Sequence, residues 1–410
     1  MDGGVALARF ILLCGLALAT GVAGRGAEPW PVAGGVAGEL KLEFLPELGL
    51  GWSVDATRGG VVLRAVRPGV AVEVRADWPD ATGMWKWRVE RGEVDLAEMW
   101  PMLREQAGAA AAGWSASGKL VFGGEGTWSL AVGAAGRVTL LLREGWARSD
   151  ELGMELSGLE MDVATEDLAG GSLPPGQMFR VAKIEAAGVQ VGKVAAEFGL
   201  SAAAERVSVA QLGAEVLGGM VKLKPFDVVL ARPAVTAAVE VDGVALAEIA
   251  RLVPWAVAGA NGNLAGRIKL DWDAVKGLRI QDGGLKIVKT DAAEFRLAPS
   301  PGFLTGSMPR RFTFLPASWG KWTKVVGPVN PAYGSLRAIE MGEVGLKIEE
   351  LTVEFKPEAG EDGRSATVRV LGRPTNTEFV DEVTLQVNFH GPLADALALG
   401  LGDQVKLNWR

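Results

Sequence analysis

Apolar residues recur in this chain with a period of two, and that alternation constrains the fold more than any other feature. In Gly38 to Leu45 (GELKLEFL), Leu40, Leu42 and Phe44 share one parity while Glu39, Lys41 and Glu43 take the other. The pattern returns at Val70, Val72 and Val74, at Trp85, Trp87 and Val89, at Trp128, Leu130 and Val132, and at Val138, Leu140 and Leu142. Further on it runs through Ile268, Leu270 and Trp272, Val344, Leu346 and Ile348, Leu351, Val353 and Phe355, and Val383, Leu385, Val387 and Phe389. Residues two apart lie on one side of a strand, so each segment has one apolar face and one wet face, the signature of antiparallel sheet. Gly59-Gly60, Gly123-Gly124, Asp282-Gly283 and Asp362-Gly363 read as turns between strands. The expected class is mostly β.

Helical spacing is sparse. In Val94 to Gln106, Leu96, Met99, Trp100 and Leu103 fall at i, i+3, i+4 and i+7, and Asp95 with Glu98 forms a capping-box-like start. Val244 to Val257 repeats the spacing through Leu246, Ile249, Val253 and Val257, and weaker candidates are Val191 to Phe198 and Pro392 to Leu399. The two clear helices sit in a repeat. Val89-Glu90, Val94, Leu96-Ala97-Glu98 and Gly118-Lys119-Leu120 correspond to Val239-Glu240, Val244, Leu246-Ala247-Glu248 and Gly266-Arg267-Ile268. A repeated strand–helix–strand unit favours an elongated array, with a few short helices packed on or at the ends of the strand repeats.

Composition narrows the chemistry. One His and one Cys cannot build a His/Cys metal site or a disulfide framework, and no cofactor is expected. A net charge of -7 argues against a nucleic-acid partner, which would favour a basic face. Mean hydropathy is +0.20, yet the only long apolar run is Phe10 to Gly24, between Arg9 and Arg25. It has the length of a signal-peptide core, so residues 1–24 read as a signal peptide or an N-terminal anchor. Export without disulfides suits the periplasm. One stretch departs from the overall acidity. From Phe295 to Ile339 there is no Asp or Glu, while Arg296, Arg310, Arg311, Lys321, Lys324 and Arg337 are interleaved with Phe303, Phe312, Phe314, Trp319 and Trp322. Such a loop suits a membrane surface, with Arg310, Arg311, Trp319, Lys321, Trp322 and Lys324 at the headgroups, or an ordered loop capping the end of a sheet.

The C-terminal half carries a resemblance. Val239 to Glu248 (VEVDGVALAE), Ala260 to Ile268 (ANGNLAGRI) and Gly277 to Leu285 (GLRIQDGGL), followed by Val368 to Pro374 and Leu385 to Leu393, resemble the C-terminal domain of YdbH-type proteins, part of the AsmA-like superfamily. The resemblance implies a C-terminal β-groove domain at 201–410; the repeat and the alternation read 25–200 as a β-rich repeat region, and the basic Pro/aromatic insertion at 299–335 departs from the family's pattern. The resemblance further implies a curved antiparallel sheet forming a hydrophobic groove for phospholipid acyl chains between inner and outer membrane. The dicarboxylate-transport label the domain has also carried finds no support in these residues. About twenty strands at ~4.8 Å spacing reach roughly 95 Å, so such a groove would call for an envelope protein partner or self-association.

Expected groove-lining residues are Ile268, Leu270, Trp272, Leu278, Ile280, Leu346, Ile348, Val353, Phe355, Leu385, Val387 and Phe389. A structural β-sandwich module binding an envelope protein or glycan predicts the same alternation, with the face closed by a second sheet. Enzymatic chemistry is not expected. Glu349-Glu350 and Asp381-Glu382 are adjacent, which on a strand sends carboxylates to opposite faces. The acidic turn Glu358 to Gly363 lacks the spaced ligands of a Ca²⁺ loop, and His390 reads as structural.

Overall fold

The computed structural model describes residues 34–42, 45–107, 113–129, 131–166, 168, 171–186, 189–202, 205–273, 277–289, 293–312, 328–357, 364–376, 379–390 and 408–409. The signal region, the acidic turn at 358–363 and the helical candidate at 392–399 lie outside them. The described residues form two compact units. One runs to Ala186 and takes in Val191–Leu212 and Pro225–Pro233; the other comprises Val189 and Gln190, Gly213–Lys224 and the residues from Ala234 on.

The first unit is an antiparallel meander. Its strands are β1 (Gly34–Leu42), β2 (Leu45–Thr57), β3 (Gly60–Arg67), β4 (Val70–Asp77) and β5 (Trp85–Asp95), then helix α1 (Leu96–Ala107), then β6 (Trp114–Ser129), β7 (Gly133–Ser149), β8 (Met154–Thr165) and β9 (Leu173–Ala186). Each strand pairs with the next along the chain. After β9 come β10 (Val189–Leu200), paired to β9, and β11 (Arg206–Val216). The chain then turns at Leu217 and Gly218, both at positive φ, into β12 (Gly219–Leu223), and β13 (Phe226–Val229) returns to pair with β11.

In the second unit β12 pairs with β14 (Ala234–Ala245), which leads into α2 (Leu246–Leu252) and β15 (Val257–Asn261). The strands β16 (Asn263–Asp273), β17 (Gly277–Ile287) and β18 (Glu294–Leu297) follow, then α3 (Pro331–Glu340), β19 (Leu346–Phe355), β20 (Arg364–Pro374), β21 (Val383–His390) and the short β22 (Asn408–Trp409). The sheet runs β12, β14, β16, β17, β19, β20, β21, β22, all antiparallel, with β15 and β18 paired to each other and β18 to the start of β19. The mostly-β antiparallel class read from alternation is the observed one.

The repeat is visible in the backbone. In each copy a tight hairpin turn receives the first backbone N–H at the helix start: Asp95 donates to the Gly69 carbonyl at 2.7 Å and Ala245 to the Leu217 carbonyl at 3.0 Å. Each copy also bulges just before its helix, with register breaks between Val89 and Glu93 and between Val241 and Val244. An extra residue bends a strand and raises its twist, so the repeat carries its bend with it.

Several local expectations need correction. Gly123-Gly124 and Asp282-Gly283 are not turns; they lie inside β6 and β17. A Cβ on Gly283 would stand 2.6 Å from the Arg267 carbonyl oxygen, so this glycine allows a close strand approach. Val132 is no strand residue; it stands 77% exposed in the β6–β7 turn. Val191 to Phe198 is strand β10, since a short apolar run satisfies helical and strand spacing alike and here sheet pairing decides. The second helix ends at Leu252 and not at Val257, because Val253 precedes Pro254 and leaves the helical region at φ -127°, ψ 52°. Helix α3 falls partly within the expected loop at 299–335. Asn330 caps it by accepting from the Ala332 N–H at 3.2 Å, with Pro331 at the first position.

Candidate functional site: the apolar sheet face

Residues directly paired in an antiparallel ladder project to the same side, so the registers define one apolar face in each unit. In the second unit one row crosses seven strands through Val221, Val241, Gly266, Leu285, Val353, Val368 and Val387. A parallel row runs Leu223, Val239, Ile268, Gly283, Phe355, Ala366 and Phe389, and shorter rows pair Ala237 with Leu270 and Ile280, and Val235 with Trp272 and Leu278. In β19 the triplets 346–348 and 351–355 have opposite parity. A bulge between Ile348 and Glu350 corrects the phase, so that Ile348 pairs with Gly372 and Leu351 with Val370. All twelve expected lining residues therefore occupy positions in one set of rows; for Leu278 and Phe389 the placement is that of the backbone register.

Their burial divides them. Leu346, Ile348, Leu385 and Ile280 are 1%, 7%, 6% and 8% exposed, and the first three belong to a closed core with Leu264, Leu297 and Ile339. Ile268, Leu270, Val353, Phe355 and Val387 are half-buried, and Trp272 is 39% exposed. One end of the face is thus filled by α2, β18, α3 and the Phe303–Leu304 turn; Val239, Val241 and Leu285 of the same rows belong to that core, and Ile268, Leu270, Val353 and Phe355 pack at its edge, half-buried.

The first unit has a comparable face that was not named among the expected lining residues. Its rows include Val54, Leu63, Val74, Val89, Gly124 and Val138, and Leu120, Leu142, Met161 and Phe179. Met99, Met102 and Leu103 of α1 cover it near Leu63, Val72 and Phe122. Leu140 packs at the edge of that cluster, and Leu140, Leu142, Met161 and Phe179 are half-buried. Trp87 lies over Gly126, where a Cβ would come 2.8 Å from the indole, and its N–H donates to the Thr127 carbonyl at 3.2 Å. The signal for this face was the alternation at 85–89 and 138–142.

The opposite faces carry cross-strand ion pairs: Arg64 with Glu73 at 3.0 Å, Arg88 with Glu125 at 2.9 Å, Arg267 with Glu240 at 3.3 Å and Arg373 with Glu349 at 2.8 Å. The carboxylate pairs need correction here. Glu349 and Glu350 do not point to opposite faces, because the β19 bulge leaves both exposed, and Asp381-Glu382 precede β21 and are not on a strand. Among the described residues, no group of three His, Cys, Asp or Glu could hold a metal, and no helix is long and apolar enough to cross a membrane.

In the basic segment, Arg310 and Arg311 are exposed, with the Arg310 guanidinium 5.4 Å from the Tyr333 ring centre. Trp319, Lys321, Trp322 and Lys324 lie outside the described residues. Glu340, 2% exposed at the end of α3, accepts from the Leu304 and Thr305 N–H groups at 2.9 and 3.1 Å and from the Thr305 hydroxyl at 2.8 Å. Burial alone would raise its pKa, but these hydrogen bonds together outweigh it and hold the carboxyl below its ordinary value.

An open antiparallel meander with one apolar and one ion-paired face defines a class of amphipathic, mostly-β proteins. Within that class, residues 71–286 match the YdbH-like family, described as Intermembrane phospholipid transport protein YdbH, and because the match takes in more than half of the chain, the chain belongs to this family. The matched stretch runs from β4 to β17 and contains both copies of the repeat. No curated protein and no solved structure matches the chain.

Proposed function

We propose that this is a non-enzymatic envelope protein that carries phospholipid between membranes, holding acyl chains along the apolar sheet face of each unit. The observation that carries the reading is the half-buried part of the face: Ile268, Leu270, Val353, Phe355 and Val387 in one unit, Leu140, Leu142, Met161 and Phe179 in the other. Acyl chains on such a surface gain about 25 cal/mol per Å² removed from water and need no directional partner. Similar apolar rows on successive strands let a chain move from one position to the next without losing its contacts. Ile280, Leu346, Ile348 and Leu385 act as the floor and the packed end of the face and do not themselves hold lipid. Residues 1–24 direct the chain to the periplasm, and a partner or a second copy extends the path.

The test is phospholipid content. The mature chain, purified in gentle detergent and analysed by mass spectrometry, is expected to retain phospholipid, and Leu270→Glu or Val353→Glu to lose most of it with the circular dichroism unchanged. Lipid-free protein, or full lipid content in both variants, would contradict the reading. The sandwich alternative predicts the opposite outcome, a lipid-free protein whose apolar face is closed by a second sheet.

A further inference from the structure

We propose that the paired base formed by residues 310–312 and 328–330 is a docking surface for an anionic phospholipid bilayer, separate from the apolar sheet face. Arg311 and Val329 form an antiparallel bridge, the Phe312 N–H donates to the Pro328 carbonyl at 3.0 Å, and the Asn330 N–H donates to the Arg310 carbonyl at 2.9 Å. This base is fixed. The Asn330 side chain donates to the Pro309 carbonyl at 3.2 Å while capping α3, and Glu340 at the far end of that helix ties down Leu304 and Thr305. On this support Phe312 is 42% and Val329 66% exposed, beside Arg310 and Arg311.

Charge identifies the occupant. The chain carries a net charge of -7, yet no Asp or Glu occurs from Phe295 to Ile339, and Arg310 and Arg311 stand exposed there. Exposed apolar side chains between arginines match a bilayer interface, where acyl carbon lies beneath a negative surface and no shape complementarity is required. A folded acidic protein would leave the apolar pair without such a medium. Docking rests on these residues alone and does not depend on lipid on the sheet faces.

The test is flotation of the purified chain with vesicles of phosphatidylcholine, with and without one-third phosphatidylglycerol, at low and high salt. Binding is expected only to the anionic vesicles and to fall at high salt. Arg310→Ser with Arg311→Ser should weaken it about thirtyfold, the effect of two basic residues at an anionic surface. The paired Lys replacements should retain most of it, which separates charge from folding. Phe312→Ser should weaken binding severalfold and leave its salt dependence unchanged. Equal binding to neutral vesicles, no flotation, or an unaffected double Ser variant would overturn the proposal. Phospholipid carried by the unfloated chain is measured separately, so this result stands or falls apart from the sheet faces.

Discussion

The two copies of the hairpin–strand–helix–strand repeat follow one local grammar and differ in what covers the sheet. In the first, α1 is twelve residues long, starts at Asp95, whose carboxylate accepts from the Ala97 N–H at 2.9 Å, and covers its apolar face alone. In the second, α2 has seven residues and its cap residue, Ala245, makes no side-chain hydrogen bond. Additional elements, β15, β18 and α3, compensate there and close a core in which Leu264, Ile339 and Leu346 are at most 2% exposed. The strands make an apolar face in both units; the covering elements decide how much of it is buried by the chain itself.

The largest effect should come from the closed core. Leu346→Ala or Ile339→Ala should cost about 3 kcal/mol or more in denaturant unfolding, whereas Leu142→Ala on the less covered face of the first unit should cost about 1 kcal/mol. Equal costs would remove the contrast between the units. Next, Glu340→Gln should destabilise the second unit by about 1–3 kcal/mol at neutral pH, through its weakened bonds to Leu304 and Thr305. Because the folded pKa lies below the ordinary 4.5, Glu340's contribution is complete above that value and is lost as pH falls through the folded pKa. The wild type and the Gln variant should therefore converge in acid, and a constant difference would show that the carboxylate is not the source.

Asp95→Ala should cost about 1 kcal/mol by removing the α1 cap, and Ala245→Asp should return some of that to α2. Thermal unfolding of both variants checks whether the caps explain the difference between the helices. The smallest effect belongs to the polar face: Arg88→Ala should change stability by no more than about 1 kcal/mol, since Arg88 and Glu125 are both well exposed.

Much of this architecture was legible because period two is a local property of a strand. The same alternation put the twelve apolar positions into common rows, although the phase change in β19 depended on a bulge that two adjacent glutamates did not announce. Coverage was not legible. Leu346 and Val353 alternate identically, yet one is 1% exposed and the other half-buried, because burial is set by α3 and β18 arriving from elsewhere in the chain. Helix α3 was hidden in a basic, proline-rich stretch, and only the Asn330-Pro331 start marked it. Glycine misled in the same way: Gly124 and Gly283 looked like turn residues but serve close strand contact, which depends on the neighbouring strand.

The central claim is that acyl chains lie on the less covered apolar faces. It is tested most directly by placing a photo-crosslinking amino acid at Leu270, at Leu142 and, as the polar-face control, at Lys269, then irradiating cells and analysing the purified chain by mass spectrometry. Phospholipid adducts at Leu270 and Leu142 with none at Lys269 are the expected result; adducts at none of the three, or equally at all three, would contradict the account.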